Sequence, residues 1–262
     1  MIKKKLSKNA KKIDKFLIRY LNKQKKSLLI NPMKYGVISG GKKIRSTVIF
    51  DTGKIFNLSE KKLINICAAV ECIHSYSLIH DDLPCMDNDS VRRGKPATHI
   101  KYGEASAVLA GSSLLTLAFE IIADKKYKLN PKSKNEIVQT LSRCSGHTGI
   151  AGGQELDLKF ENKNKTFNQI VDMQKKKTGK LFNFCLYAVA VVANLNNKEK
   201  IFLGKLGEEV GLLFQLSDDF LDIKGSKLLT GKKEDDVKPI PTFRCDDCGY
   251  IPEEFRTIEI KQ

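Results

Sequence analysis

Acidic residues are the minority in this chain: 30 aspartates and glutamates stand against 46 lysines and arginines, a formal net charge of +16. Such a balance suits nucleic acid or an anionic membrane surface. The lysines are spread along the whole chain, however, with no aromatic-interleaved basic stripe and no nucleic-acid recognition motif, so a compositional bias plus an anionic substrate accounts for the charge. Long apolar runs are missing too. The longest, residues 181–193, takes in Asn183 and falls short of the ~20 residues a membrane span needs. Met1 to Leu6 lacks the apolar core of an export signal, and the seven cysteines form no regular framework. A reduced, cytoplasmic compartment is the expectation. With no internal repeat and no glycine–serine linker, 262 residues read as one large domain with a real core.

What is present reads almost entirely as helix. Leu63, Ile66, Cys67, Val70, Ile73 and Ser77 recur at helical spacing across residues 61–83, a face that ends in aspartates. Phe202, Leu206, Val210, Leu213 and Phe214 do the same across 201–222, which predicts a second buried helix ending in acid. Asn130, Pro131 and residues 194–197 read as turns between helices. Helices that face one another in a bundle build sites from opposed side chains.

The acid itself comes in two clusters. The first holds Asp81, Asp82 and Asp87, followed by Arg92 and Arg93; the second holds Asp218, Asp219 and Asp222. Carboxylates gathered this way suit hard divalent cations, and arginines suit the phosphates that accompany them. Asp218 and Asp222, four apart, share a helix face. Asp81 and Asp87 would lie roughly 120° out of line on a straight helix. Pro84 between them breaks the ladder, so the chain can swing Asp87 back beside Asp81. Two such walls make a diphosphate clamp with Mg²⁺, and the bland reading of either cluster alone is a solvated acidic loop.

Four motifs in order then carry a resemblance: Gly40 and Gly41 before Lys42 and Arg45; the first aspartate cluster with its arginines; Lys177, Thr178 and Gly179; and Gln215 ahead of the second cluster. Over residues 30–236 the chain resembles the trans-isoprenyl diphosphate synthases, and among them is most similar to bacterial farnesyl diphosphate synthases. The resemblance implies an all-α isoprenoid synthase-type bundle with a central cavity, working as a homodimer with two to three Mg²⁺ ions. It implies metal binding by Asp81, Asp82, Asp87, Asp218 and Asp222. Lys42, Arg45, His74 and Arg93 would hold isopentenyl diphosphate; Arg92, Lys177 and Lys232 would meet the allylic diphosphate, dimethylallyl or geranyl. Thr178 and Gln215 would stabilise the allylic cation, and Tyr76, with Ser77 beside it, would set product length at farnesyl diphosphate, geranylgeranyl diphosphate being the longer alternative. No side chain stands out as a general base.

Residues 237–262 depart from that pattern, so the expected division is 1–236 as the helical domain and 237–262 as a divergent tail in place of the family's last helices. Cys245 and Cys248 form half of a zinc knuckle without a second pair. Two further readings stay open: a truncated, non-catalytic chain, either a decayed enzyme or a subunit that docks on a complete one, and a terpene cyclase, which would have no use for Lys42, Arg45 and Arg93.

Overall fold

A computed structural model describes residues 2–38, 40–161 and 163–224, with side chains described as far as Asp218. Asp222 therefore lies beyond the described side chains, and Lys232, Cys245 and Cys248 lie outside the described residues. Eleven α-helices follow in order among the described residues: α1 (Ile2–Asn22), α2 (Ile30–Ile38), α3 (Ile44–Ile55), α4 (Glu60–Asp81), α5 (Thr98–Tyr102), α6 (Glu104–Ala123), α7 (Pro131–Ser145), α8 (Ile150–Phe160), α9 (Phe167–Gln174), α10 (Lys180–Val192) and α11 (Asn197–Lys224). One antiparallel hairpin, β1 (Val91–Arg92) with β2 (Lys95–Pro96), and one π-helical turn, Lys175–Gly179, complete the described residues.

The central element is α4. Leu63, Ile66, Cys67, Ala68, Ala69, Val70 and Ile73 are all fully buried, so the helix is covered on nearly every side, chiefly by α6 and α3. By contrast α1 shows the period of a surface helix: Ile13, Leu17 and Leu21 face the core four residues apart while its lysines face outward. Local chemistry fixes the helix starts. Asn130 caps α7 by accepting from the Ser133 amide at 2.8 Å with Pro131 in the first turn, and Thr166 and Gln169 form a capping box on α9.

Three glycines seat α11 on α10. A methyl at Gly207 would lie 2.4 Å from the Phe182 carbonyl oxygen, at Gly211 2.8 Å from the Gly179 Cα, and at Gly204 3.2 Å from the Asn183 side chain. Only a face without side chains lets the two backbones approach this closely.

Two expectations need correction. The apolar face of α11 is exposed, with Phe202 at 66%, Leu206 at 44%, Val210 at 38% and Leu213 at 65%, and only Phe214 packs inward, on Phe182. Apolar spacing marks a face, and the partner for that face is absent among the described residues. Second, two helices are apolar and long enough to cross a membrane by length and composition, α4 and α6, although 72% of the α4 window is buried inside the fold. The 44% burial of the α6 window leaves Val108 and Leu109 facing outward.

Candidate active site

The acidic wall is built where α4 ends. Asp81 is its last residue; Pro84 has no amide to extend the ladder, and the chain folds into a turn in which the Asn88 amide donates to the Leu83 carbonyl at 3.0 Å with Asn88 left-handed at φ 54°. That turn returns the Asp87 amide to the Asp81 carbonyl at 2.8 Å, so the two residues meet despite their six-residue separation. Burial pushes the Asp81 carboxyl up to about 7, with the Lys177 ammonium pulling it down and the Asp87 charge pushing it further up.

Asp82 does not join them. It is 2% exposed and receives the Arg92 guanidinium through Nε at 2.8 Å and through Nη2, while the same Nη2 reaches Asp89 Oδ2 at 2.8 Å. Placed one residue on from Asp81, it is turned about 100° around the helix, toward the hairpin. Its carboxylate anchors Arg92 rather than standing with Asp81 and Asp87.

A basic pocket lies two turns earlier along α4. His74 lies within 3.5 Å of Arg93 Nη2, and Arg93 Nη1 donates to the Gly40 carbonyl at 2.8 Å. Arg93 and Gly94, at φ 53° and 71°, form the two-residue loop between β1 and β2, where a tight hairpin demands positive φ at both positions. Gly41, at φ 94°, passes so close under this arginine that a methyl would sit 2.7 Å from Cζ. Arg45 lies 4.9 Å from the Phe182 ring centroid and its buried Nε has no hydrogen-bond partner among the described residues. Burial, then the charges of Arg45 and Arg93, hold the His74 imidazole well below its usual range, and burial likewise lowers Arg45.

Of the two neighbouring lysines, Lys42 is exposed, and among the described residues no hydrogen bond or ion pair engages its side chain. Lys43 turns inward instead, left-handed at φ 46° and 5% exposed, with Nζ donating to the Val37 carbonyl at 2.7 Å.

Between wall and pocket stand the remaining polar residues. The π-helical turn widens the helix by one residue per turn and presents Lys177 and Thr178 together, as such bulges commonly do at functional sites. Lys177 Nζ donates to Asp157 Oδ2 at 2.5 Å and feels the charges of Asp81 and Asp87, which together outweigh the burial that would lower it. Buried Thr178 donates to Gln215 Oε1 at 2.9 Å. Tyr76, 7% exposed, donates to the Ser145 carbonyl at 3.1 Å, and burial with the nearby Asp81 charge pushes its phenol up to about 12. Ser77 donates to the His74 carbonyl at 3.0 Å.

Two site residues escaped the sequence reading. Gln154 donates to Asp87 Oδ1 at 3.3 Å and Asp157 holds Lys177, both from α8. Their signal was available: Gly152 and Gly153 precede a polar pair three residues apart, and Gly153 admits the Lys177 backbone, whose amide nitrogen would lie 2.2 Å from an added methyl. The second acidic wall enters the described residues through Asp218, exposed on α11, whose charge reaches Arg45. Among the described residues no group of three or more aspartate, glutamate, histidine or cysteine side chains gathers as a metal cluster. Asp81 and Asp87 nevertheless offer what magnesium takes from a protein, one or two carboxylates with the remaining positions left to substrate phosphate and water.

Comparison with known proteins places these residues in a wider setting. The sequence model of the family described as Polyprenyl synthetase matches residues 26–242. Farnesyl diphosphate synthase of Escherichia coli K12 is 40% identical over 208 residues, 79% of this chain and 70% of that protein. Farnesyl diphosphate synthase of Bacillus subtilis is 39% identical over 210 residues, 80% of this chain and 69% of that protein. Among solved structures, an FPP/GFPP synthase from Zymomonas mobilis superposes with a TM-score of 0.80 at 38% identity, covering 86% of this chain and 82% of that one. A geranyltransferase from Legionella pneumophila gives 0.78 at 35% identity, covering 86% and 80%.

Proposed function

The chain belongs to the polyprenyl synthetase family, and from that premise we propose that it is a short-chain trans-prenyltransferase that condenses isopentenyl diphosphate with dimethylallyl and then geranyl diphosphate to give farnesyl diphosphate. One observation carries this reading: a single helix, α4, presents a basic pocket at His74 and an acidic wall at Asp81, two turns apart. Such opposed sites suit two substrates that share a diphosphate and react through different ends.

Asp81 and Asp87 would hold Mg²⁺, with Asp218 and Asp222 of α11 as the second wall; bound there, the ions would supply Lewis-acid withdrawal of charge from a departing diphosphate and a template for it. The chain's own residues do the rest. Lys177, held by Asp157, and Arg92, held by Asp82 and Asp89, present fixed positive charge to the leaving group as its carbon–oxygen bond breaks. Thr178 and Gln215, locked to each other, offer oxygen dipoles to the allylic cation in a buried setting where fixed dipoles act strongly. Arg45, His74 and Arg93, with Lys42 free to swing in, hold isopentenyl diphosphate while its double bond forms the new carbon–carbon bond. A proton then leaves, and the released diphosphate is the base at hand.

Tyr76 supports the short product, because its ring is buried beneath Asp81 and pinned to Ser145. A homodimer fits the outward Val108 and Leu109 of α6, and the free thiols of Cys67, Cys72, Cys85, Cys144 and Cys185 fit a cytoplasmic setting. Incubating the purified protein with Mg²⁺, labelled isopentenyl diphosphate and geranyl diphosphate tests the reading. A labelled fifteen-carbon product is expected; no incorporation by protein whose fold is verified by circular dichroism refutes it.

A further inference from the structure

Behind the basic pocket lies a carboxylate that the proposed chemistry does not use. Glu71, 2% exposed, sits one turn before His74 on α4. Ser46 donates to its Oε1 at 2.7 Å, and Lys43 Nζ stands 3.6 Å from its Oε2 and 3.8 Å from Asp14 Oδ1. Three helices and the strained Gly40–Lys43 turn thus converge on one buried acid. Its charge reaches forward as well: among neighbouring charges it is the foremost influence on both Arg93 and Arg45.

We propose that Glu71 is a positioning residue that sets the affinity of the basic pocket, offsetting part of the charge of Lys43, Arg45 and Arg93, so that the pocket binds a diphosphate loosely enough to release it. The inference rests on the reading of that pocket as the isopentenyl diphosphate site. The reaction supplies the reason for such restraint. The diphosphate contributed by isopentenyl diphosphate stays on the product, so a second addition cannot start until that group leaves the pocket. A pocket of uncompensated cations would favour the bound state at every stage, and uniform binding adds nothing to the chemical step.

The prediction is opposite in sign to that of an ordinary core residue. Glu71→Gln keeps an acceptor for Ser46 and leaves Lys43 its bond to Val37 and its 3.8 Å ion pair with Asp14, while removing one negative charge. Its free form should melt lower than wild type, yet it should bind isopentenyl diphosphate about fivefold tighter in metal-free buffer by calorimetry, with a larger ligand-induced rise in melting temperature. The double change Lys43→Met with Glu71→Gln restores the net charge and should return affinity to within about twofold of wild type. Should Glu71→Gln not fold, Lys43→Met alone is expected to bind about fivefold more weakly. Equal or weaker binding by Glu71→Gln, or unchanged binding by Lys43→Met, overturns the inference while the pocket itself stands. No binding by wild type overturns the pocket and the inference with it.

Discussion

Gly40 and Gly41 share one positive φ and differ in one contact. Their φ angles are 93° and 94°, a region where a side chain is strained by about 1–3 kcal/mol. Alanine at either position should therefore lower stability by a similar amount, a fall of about 2–12 °C in melting temperature for a chain of this size. A methyl at Gly40 meets nothing within 4 Å, whereas at Gly41 it lies 2.7 Å from Arg93 Cζ and Nη1 and 3.0 Å from Nη2. Arg93 is the flexible partner, so it yields, and the guanidinium leaves the place from which it donates to Gly40 and meets His74. A lost charge-assisted hydrogen bond to ligand is worth about 1.5–3 kcal/mol, or about 10- to 100-fold. Gly41→Ala should thus raise KM for isopentenyl diphosphate about tenfold or more above Gly40→Ala, with KM for geranyl diphosphate and kcat little changed. Thermal melts and steady-state kinetics on the pair decide it. Equal KM values would show that Arg93 takes no part in that substrate's binding, and a Gly41→Ala variant that melts above Gly40→Ala would show that the displacement of Arg93 from Gly40 was misjudged.

Three further expectations follow from the same contacts. Because His74 is held neutral well below its unfolded value of 6.5, the unfolded chain binds a proton the folded one refuses; stability should fall as pH drops below about 6.5, by up to about 1.4 kcal/mol per pH unit, and His74→Gln should make that arm of a urea-melt series shallower. Tyr76→Ala should lengthen the product on chromatography, whereas Tyr76→Phe, losing only the bond to Ser145, should keep product length at a cost of about 1 kcal/mol; an unchanged profile in the alanine variant removes Tyr76 as the floor. Gly207→Ala gains about 1 kcal/mol of helix propensity yet drives a methyl to 2.4 Å from the Phe182 carbonyl, so a lower melting temperature is expected, and a higher one would mean that α10 and α11 are less tightly apposed.

The sequence made some of this legible and hid the rest for identifiable reasons. The course of α4 could be read because Leu63, Ile66, Val70 and Ile73 repeat at helical spacing, and the return of Asp87 because proline leaves a helix few options. The face of α11 was misread, since periodicity reports that Phe202, Leu206 and Val210 share a side without reporting what covers it. Which of Lys42 and Lys43 turns inward depends on a left-handed φ at Lys43, a conformation no propensity assigns to lysine. The Asp82–Arg92 pair was hidden for a related reason: adjacent aspartates look equivalent in sequence, while a helix points them in different directions. Lys177 was singled out by its motif with Thr178 and Gly179, whereas its partner Asp157 could not be read, because only the fold brings α8 to the π-helical turn; Lys175 and Lys176 pair instead with Glu209 and Asp172.

The placement of pocket and wall on one helix bears on how two like-charged substrates could be told apart. His74 and Asp81 are seven residues apart, a rise of about 10 Å. At that separation two diphosphates still repel, by roughly 1–2 kcal/mol even in bulk water and less once salt screens them. Each end of α4 lowers that repulsion differently. At His74 the neutralising charge belongs to the protein itself, through Arg45 and Arg93, so on the proposed reading the pocket would take a diphosphate without a metal. At the Asp81 end Lys177 and Arg92 are already matched by Asp157, Asp82 and Asp89, so Asp87 with Asp81 leaves the wall negative, which would repel a bare diphosphate and admit one accompanied by cations. Chelation should then separate the two: with metal removed, isopentenyl diphosphate should still bind while geranyl diphosphate binding falls at least tenfold, measured by calorimetry on each ligand alone. Equal loss of both would mean that the two ends of α4 do not discriminate by charge.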